Sequence, residues 1–269
     1  MNENADSPRT VDGRSDRRRF LAASGALFVG GGLAGCLDES AGSDGSNGNA
    51  GTDGERTTSE ATADGTTEGA DDASEPRTVS FEAPHGATIE GTLYGSGDCG
   101  VVLVPQINMD RESWRPQAEA LAGEGNLVLA IDEDPDDRPA SVRGAIAHLR
   151  RERGVSGLVL IGASSGGEAV VVANAEAEDG AVDGTVALSA GGGADRAADL
   201  HGRLLFVVSE GDSDRFVRVA RELHENAPEP KELVTYEGSA HGQGLFDSDR
   251  AEDLRGRISS LVAEACGGA

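Results

Sequence analysis

Ser164 stands between glycines in Gly162-Ala163-Ser164-Ser165-Gly166. A serine hydroxyl attacks a carbonyl when a base takes its proton and hydrogen-bond donors receive the oxyanion that forms. A G-x-S-x-G run supplies part of that apparatus. Its glycines permit a sharp strand-to-helix turn that presents the serine, and the free N–H groups of the helix N-terminus favour developing negative charge. The run alone says little in a chain with 39 glycines, because a glycine-rich turn that binds phosphate or merely packs reads the same way. A carboxylate and a histidine must follow it, in that order. Asp212 closes Ser209-Glu210-Gly211-Asp212, with Glu210 or Asp214 as alternatives for the same task, and His241 lies in Glu237-Gly238-Ser239-Ala240-His241-Gly242. The chain has 5 histidines. His85 falls in a turn, His148 on a helix, His201 before a strand and His224 near a helix end. Only His241 occupies a loop between a strand and the last helix, where a general base is needed.

These residues need a scaffold, and the hydropathy pattern supplies one. Thr78–Ala83 and Thr88–Tyr94 alternate apolar and polar residues, which predicts two half-exposed antiparallel strands around the turn Pro84-His85-Gly86. Val101–Val104 is a continuous apolar run of the kind buried on both faces of a sheet, and Leu127–Ile131, Leu158–Ile161, Gly184–Leu188, Leu204–Val208 and Leu233–Tyr236 read as further strands. Helices are expected at Ser113–Ala122, Pro139–Arg153, Gly166–Ala177, Arg215–Glu225 and Arg250–Ala265. Alternation of this kind specifies a doubly wound, mostly parallel α/β sheet, here one domain over 77–269. Ser164 then follows a buried strand and opens a helix. Asp212 and His241 each follow a later strand.

The folded region resembles the dienelactone-hydrolase-like branch of the α/β-hydrolase superfamily. The resemblance rests on Val101–Val104 followed by Asp110-Arg111-Glu112-Ser113-Trp114, on Gly162–Gly167, on Ser189, on Ser209–Asp212 and on Gly238–Gly242. It implies an α/β-hydrolase fold with Ser164 as nucleophile, Asp212 as the orienting acid and His241 as the base. The backbone N–H of Ser165 would be one oxyanion donor, and that of Gln106 or Ile107 the other. Relatives often carry His-Gly where this chain has Pro105-Gln106. Only Ser189–Arg203 joins the sixth and seventh strands, so no cap domain is expected; Asn108 and Met109 are candidate pocket residues, and Trp114 either lines the pocket or belongs to the core. The implied substrate is a small molecule with an ester or similar acyl bond. The same triad would serve a peptidase or thioesterase, and the same fold a binding protein. No cofactor is implied, and no Cys/His spacing resembles a metal site.

Composition narrows the partners. The net charge is -25, which opposes binding to nucleic acid or to an anionic membrane surface. Of 23 basic residues one alone is lysine, Lys231. Abundant carboxylates with almost no lysine are the pattern of salt-adapted proteins, whose self-repulsion is screened at molar salt, where the Debye length is about 3 Å. The N-terminus reads as an address, residues 1–35. Arg17-Arg18-Arg19-Phe20-Leu21 and the short apolar stretch to Gly35 resemble a twin-arginine export signal. Leu33-Ala34-Gly35-Cys36 resembles a lipobox, making Cys36 the lipidation site and a lipid the link to the membrane. Residues 36–76 are rich in Gly, Ser, Thr and acids, and are expected to form a disordered tether. The remaining cysteines, Cys99 and Cys266, fall at the sheet edge opposite the site. They are either a disulfide closing the C-terminus onto the core or two separate buried thiols.

Overall fold

The computed structural model describes residues 75–267. The segment expected to be an export signal, Cys36, and the expected tether up to residue 74 lie outside the described residues.

Eight strands form one sheet: β1 Arg77–Glu82, β2 Thr88–Tyr94, β3 Cys99–Val104, β4 Leu127–Ile131, β5 Gly157–Ala163, β6 Gly184–Leu188, β7 Arg203–Ser209 and β8 Lys231–Tyr236. Their order across the sheet is β1-β2-β4-β3-β5-β6-β7-β8. The first two strands pair antiparallel with each other and β2 with β4, while every other neighbour is parallel. The helices are α1 Arg115–Gly123, α2 Arg138–Ala147, α3 Ser165–Ala175, α4 Asp214–Asn226 and α5 Ala251–Cys266. After β3 the chain first adds β4 on one side and then β5 on the other. The loops leaving β3 and β5 therefore diverge, and a doubly wound sheet opens a crevice at such a switch point.

Side chains alternate across the buried strands. Val101 and Leu103 pack with Ala118 and Leu121 of α1 and Leu254, Ile258 and Val262 of α5. Val102 and Val104 pack with Val142 and Ile146 of α2 and Val170 and Ala173 of α3. Both faces are thus covered, which is why these strands read as continuous apolar runs rather than alternating ones. The connection 189–202 between β6 and β7 holds only the 3-10 segment Ala194–Asp199, and no cap is inserted.

Most elements begin or end a residue or two from where the sequence places them, and three differences have a clear physical cause. The helix expected over Pro139–Arg153 leaves α-geometry at Ala147 and continues as a π-helical turn, His148–Glu152. His148 and Leu149 are both buried there, with the His148 ring stacked 5.2 Å from that of Phe81. The helix expected from Ser113 begins as a 3-10 turn, Arg111–Trp114, capped by the Asp110 carboxylate, which accepts from Glu112 N–H. Pro116, at the start of α1, has no N–H to give an earlier turn. The strand read as Leu158–Ile161 runs on through Gly162 and Ala163, up to Ser164 itself.

Cys99 and Cys266 are joined by a disulfide with Cα atoms 5.6 Å apart. A side chain at Gly157 would collide with this bridge, since a Cβ there would stand 2.6 Å from Cys266 Sγ. The bridge lies at the start of β3, the end of the sheet away from Ser164.

Candidate active site

Ser164 sits at φ 51° and ψ -109°, a backbone conformation that a side-chain-bearing residue rarely adopts. The two motif glycines make this turn possible. A Cβ on Gly162 would strike the backbone of Gly166, and one on Gly166 would strike the carbonyl oxygens of Val104 and Pro105. The elbow is pinned to the neighbouring strand end: Ser164 N–H donates to Leu188 O at 2.8 Å, and Gly191 N–H donates to Ser164 O at 2.9 Å.

Asp212 and His241 arrive from the ends of β7 and β8. Glu210 N–H donates to Tyr236 O and Gly211 N–H to Gly238 O, both at 2.8 Å, and the Ser209 hydroxyl donates to Ala240 O at 2.7 Å. These bonds lock one strand end against the other loop. Asp212 is nearly buried, with 6% of its side chain exposed. Its Oδ1 accepts from Ser213 N–H at 2.7 Å, and its Oδ2 lies 2.8 Å from His241 Nδ1. A carboxylate only accepts, so the proton is on Nδ1. Nε2 is then free to accept from the Ser164 hydroxyl at 2.9 Å. The Phe216 ring packs on the imidazole at 4.2 Å between centroids. Ser164, Asp212 and His241 are thus brought together. Neither Glu210 nor Asp214 reaches His241 with its side chain.

The expected oxyanion donors are placed unequally. Ser165 is the first residue of α3, so its N–H has no acceptor within the helix. Gln106 does not fit the role given to it: its N–H donates to Gln243 Oε1 at 3.1 Å. Ile107 keeps its N–H free of backbone and side-chain acceptors. It occupies a turn closed by Met109 N–H donating to Gln106 O at 3.0 Å, with Asn108 at φ 64°. Asparagine tolerates that left-handed position better than most side chains. Ile107 and Met109 are the exposed large hydrophobics among the described residues. Of the two readings of Trp114, the structure takes the core one. The side chain is fully buried, edge-on to Phe246 at 5.7 Å.

Two further residues of the site went unread in the sequence. Gln243 returns the bond from Gln106, donating its own N–H to Gln106 Oε1 at 2.9 Å, and its Nε2 donates to Ser113 Oγ at 2.9 Å. Its signal was its place two residues after His241. Glu133, past the end of β4, sits beside Ser165, whose hydroxyl donates to Glu133 Oε1 at 3.4 Å. Nothing in the acidic run Asp132-Glu133-Asp134 marked it out. Among the described residues no group of acids, histidines and cysteines is arranged to hold a metal ion.

No family model matches the chain, and no curated protein matches it. Solved structures do. An esterase from Pyrococcus furiosus is similar at 14% identity and a TM-score of 0.62, over 72% of this chain and 92% of its own. A dienelactone hydrolase from Anabaena variabilis is similar at 19% identity and a TM-score of 0.61, over 71% of this chain and 98% of its own. An esterase from Exiguobacterium antarcticum is similar at 14% identity and a TM-score of 0.58, over 68% of this chain and 98% of its own. Together with the sheet order and the elbow, these likenesses establish the α/β-hydrolase fold.

Proposed function

We propose that the protein is a serine hydrolase that cleaves an ester or similar acyl bond of a small molecule. The observation that carries this is the continuous relay from Asp212 through His241 to Ser164, at 2.8 and 2.9 Å, ending on a serine held in a strained turn. His241 Nε2 takes the hydroxyl proton as Ser164 Oγ attacks the carbonyl carbon. The imidazolium then gives that proton to the leaving group, and Asp212 holds the tautomer throughout. The N–H groups of Ser165 and Ile107 receive the oxyanion, each such donor being worth about 3–4 kcal/mol. Water, activated by the same imidazole, releases the acyl group. The esterases and the dienelactone hydrolase of the same fold support this reaction class. The apolar side chains of Ile107 and Met109 at the mouth suit an apolar acyl group, and the chemistry calls for no cofactor. Hydrolysis of short p-nitrophenyl esters tests the reading: Ser164→Ala should abolish it while leaving the thermal transition in place.

We further propose that the enzyme works outside the cytoplasm, exported by the twin-arginine route and held to the membrane by a lipid on Cys36, with 36–76 as the tether. The twin arginines, the apolar stretch and Leu-Ala-Gly-Cys in that order support this. The net charge of -25 with one lysine supports a salt-dependent fold without nucleic-acid partners. Intact folding after transfer to low salt would contradict the salt dependence. A Cys36→Ser chain that still partitions with membranes as wild type does would contradict the anchor.

A further inference from the structure

The Glu133 side chain is only 9% exposed. Arg138, the first residue of α2, approaches its Oε1 at 2.8 Å, and the Ser165 hydroxyl donates to the same oxygen. Oε2 is buried and has no hydrogen-bond partner. A buried carboxylate with one unsatisfied oxygen resists ionisation. Burial pushes Glu133 up to about 7, against the opposing pulls of Arg138 and of the Ser165 hydrogen bond. The neighbouring acids have partners of their own. Asp132 is held by Arg111, Asp134 by His85 and by Asp136 N–H, and Asp137 caps α2 by accepting from Ala140 N–H. Glu133 is therefore the acid of this group that faces the elbow, and Arg138 is its counter-charge.

We propose that Glu133 and Arg138 control the oxyanion side of the site through Ser165, with Glu133 as a positioning residue that touches neither substrate nor the reacting atoms. While Glu133 is neutral, Arg138 leaves one net positive charge at the carboxyl that the Ser165 hydroxyl contacts. When Glu133 ionises, the pair becomes neutral and that field is lost. Negative charge developing on the oxyanion is favoured by the first state and not by the second. Reaction at Ser164 should therefore slow as pH rises through the ionisation of Glu133.

The inference rests on Ser164 being the nucleophile, and the test separates the two claims. The rate of inactivation by a fluorophosphonate, whose phosphoryl oxygen occupies the oxyanion position, is measured from about pH 5 to 9 on the full chain in high salt. The variants are Glu133→Gln and Arg138→Gln. Wild type should lose about tenfold in rate on the alkaline side, the loss centred near 7. Glu133→Gln should hold its rate there, and Arg138→Gln should move the loss to higher pH because the carboxyl has lost its counter-charge. A wild type without the alkaline loss, or a Glu133→Gln chain that keeps it, overturns the proposal. Should Glu133→Gln not fold, an unshifted profile in Arg138→Gln overturns it instead. A folded wild type that reacts at no pH overturns the assignment of Ser164, and this proposal with it.

Discussion

Gln106 and Gln243 hold each other by two hydrogen bonds, each giving its backbone N–H to the other's side-chain oxygen, at 3.1 and 2.9 Å. The pair joins the turn that carries the Ile107 N–H to the loop that carries His241, across 137 residues of sequence. The fit is close enough that a Cβ on Gly242 would collide with the Gln106 amide. The proposed base and one side of the proposed oxyanion site are thereby set by a single contact. Removing it leaves the Gln106 N–H without its partner, a loss of about 1–3 kcal/mol where the group stays dry. Gln243→Ala is expected to lower kcat by about tenfold or more, with a smaller change in KM. Steady-state kinetics on a p-nitrophenyl ester read this directly, and an unchanged kcat would show that the pair does not position the site.

Glu133 should also mark the pH dependence of stability. Its carboxyl titrates at 4.5 in the unfolded chain and at about 7 in the native fold. The native state therefore holds the proton more tightly. Its stabilising effect is full below the unfolded value and is lost as pH rises through the folded one, by about 3 kcal/mol at most. Glu133→Gln cannot ionise, so the variant should gain on wild type between about pH 5 and pH 8. Urea midpoints of both proteins at the two pH values measure the difference. Equal differences at both would show that the carboxyl is not buried as described.

The bridge between Cys99 and Cys266 closes the chain over a separation of 167 residues. Cross-links of this kind stabilise mainly by restricting the unfolded chain, typically by about 2–4 kcal/mol. The double variant Cys99→Ser/Cys266→Ser should unfold at lower denaturant by that amount. Its ester hydrolysis under native conditions should be unchanged, because the bridge lies at the far end of the sheet. A midpoint equal to that of the oxidised wild type would argue against any stabilising role.

The fold was legible because it is written in local pattern. Runs such as Val101–Val104 are apolar at every position since each is covered by helices on both faces, and the glycines of the elbow are demanded by backbone contact. Ser164 and His241 were readable for the same reason: a motif at a strand end and a histidine in the one loop suited to a base. What stayed hidden depends on contacts between distant segments. That Gln106 spends its N–H on Gln243 is a pairing across the chain, and no feature of Pro105-Gln106-Ile107 foretells it. Burial of Glu133 against Ser165 likewise appears only once the loops are in place. The helix boundary at Ala147 was missed because His148 reads as a polar helical residue, whereas the π-helical turn carries it into the core.

The most direct test is covalent labelling of the full chain by a fluorophosphonate in high salt, comparing wild type with Ser164→Ala. Attack by an activated serine gives a stable adduct, and His241 and the oxyanion donors supply the activation. Wild type should carry one adduct per chain, placed on Ser164 by peptide mass, and the variant none, a loss of reactivity of about 10⁴-fold or more. A folded wild type that takes no label, or equal labelling of both proteins, would contradict this.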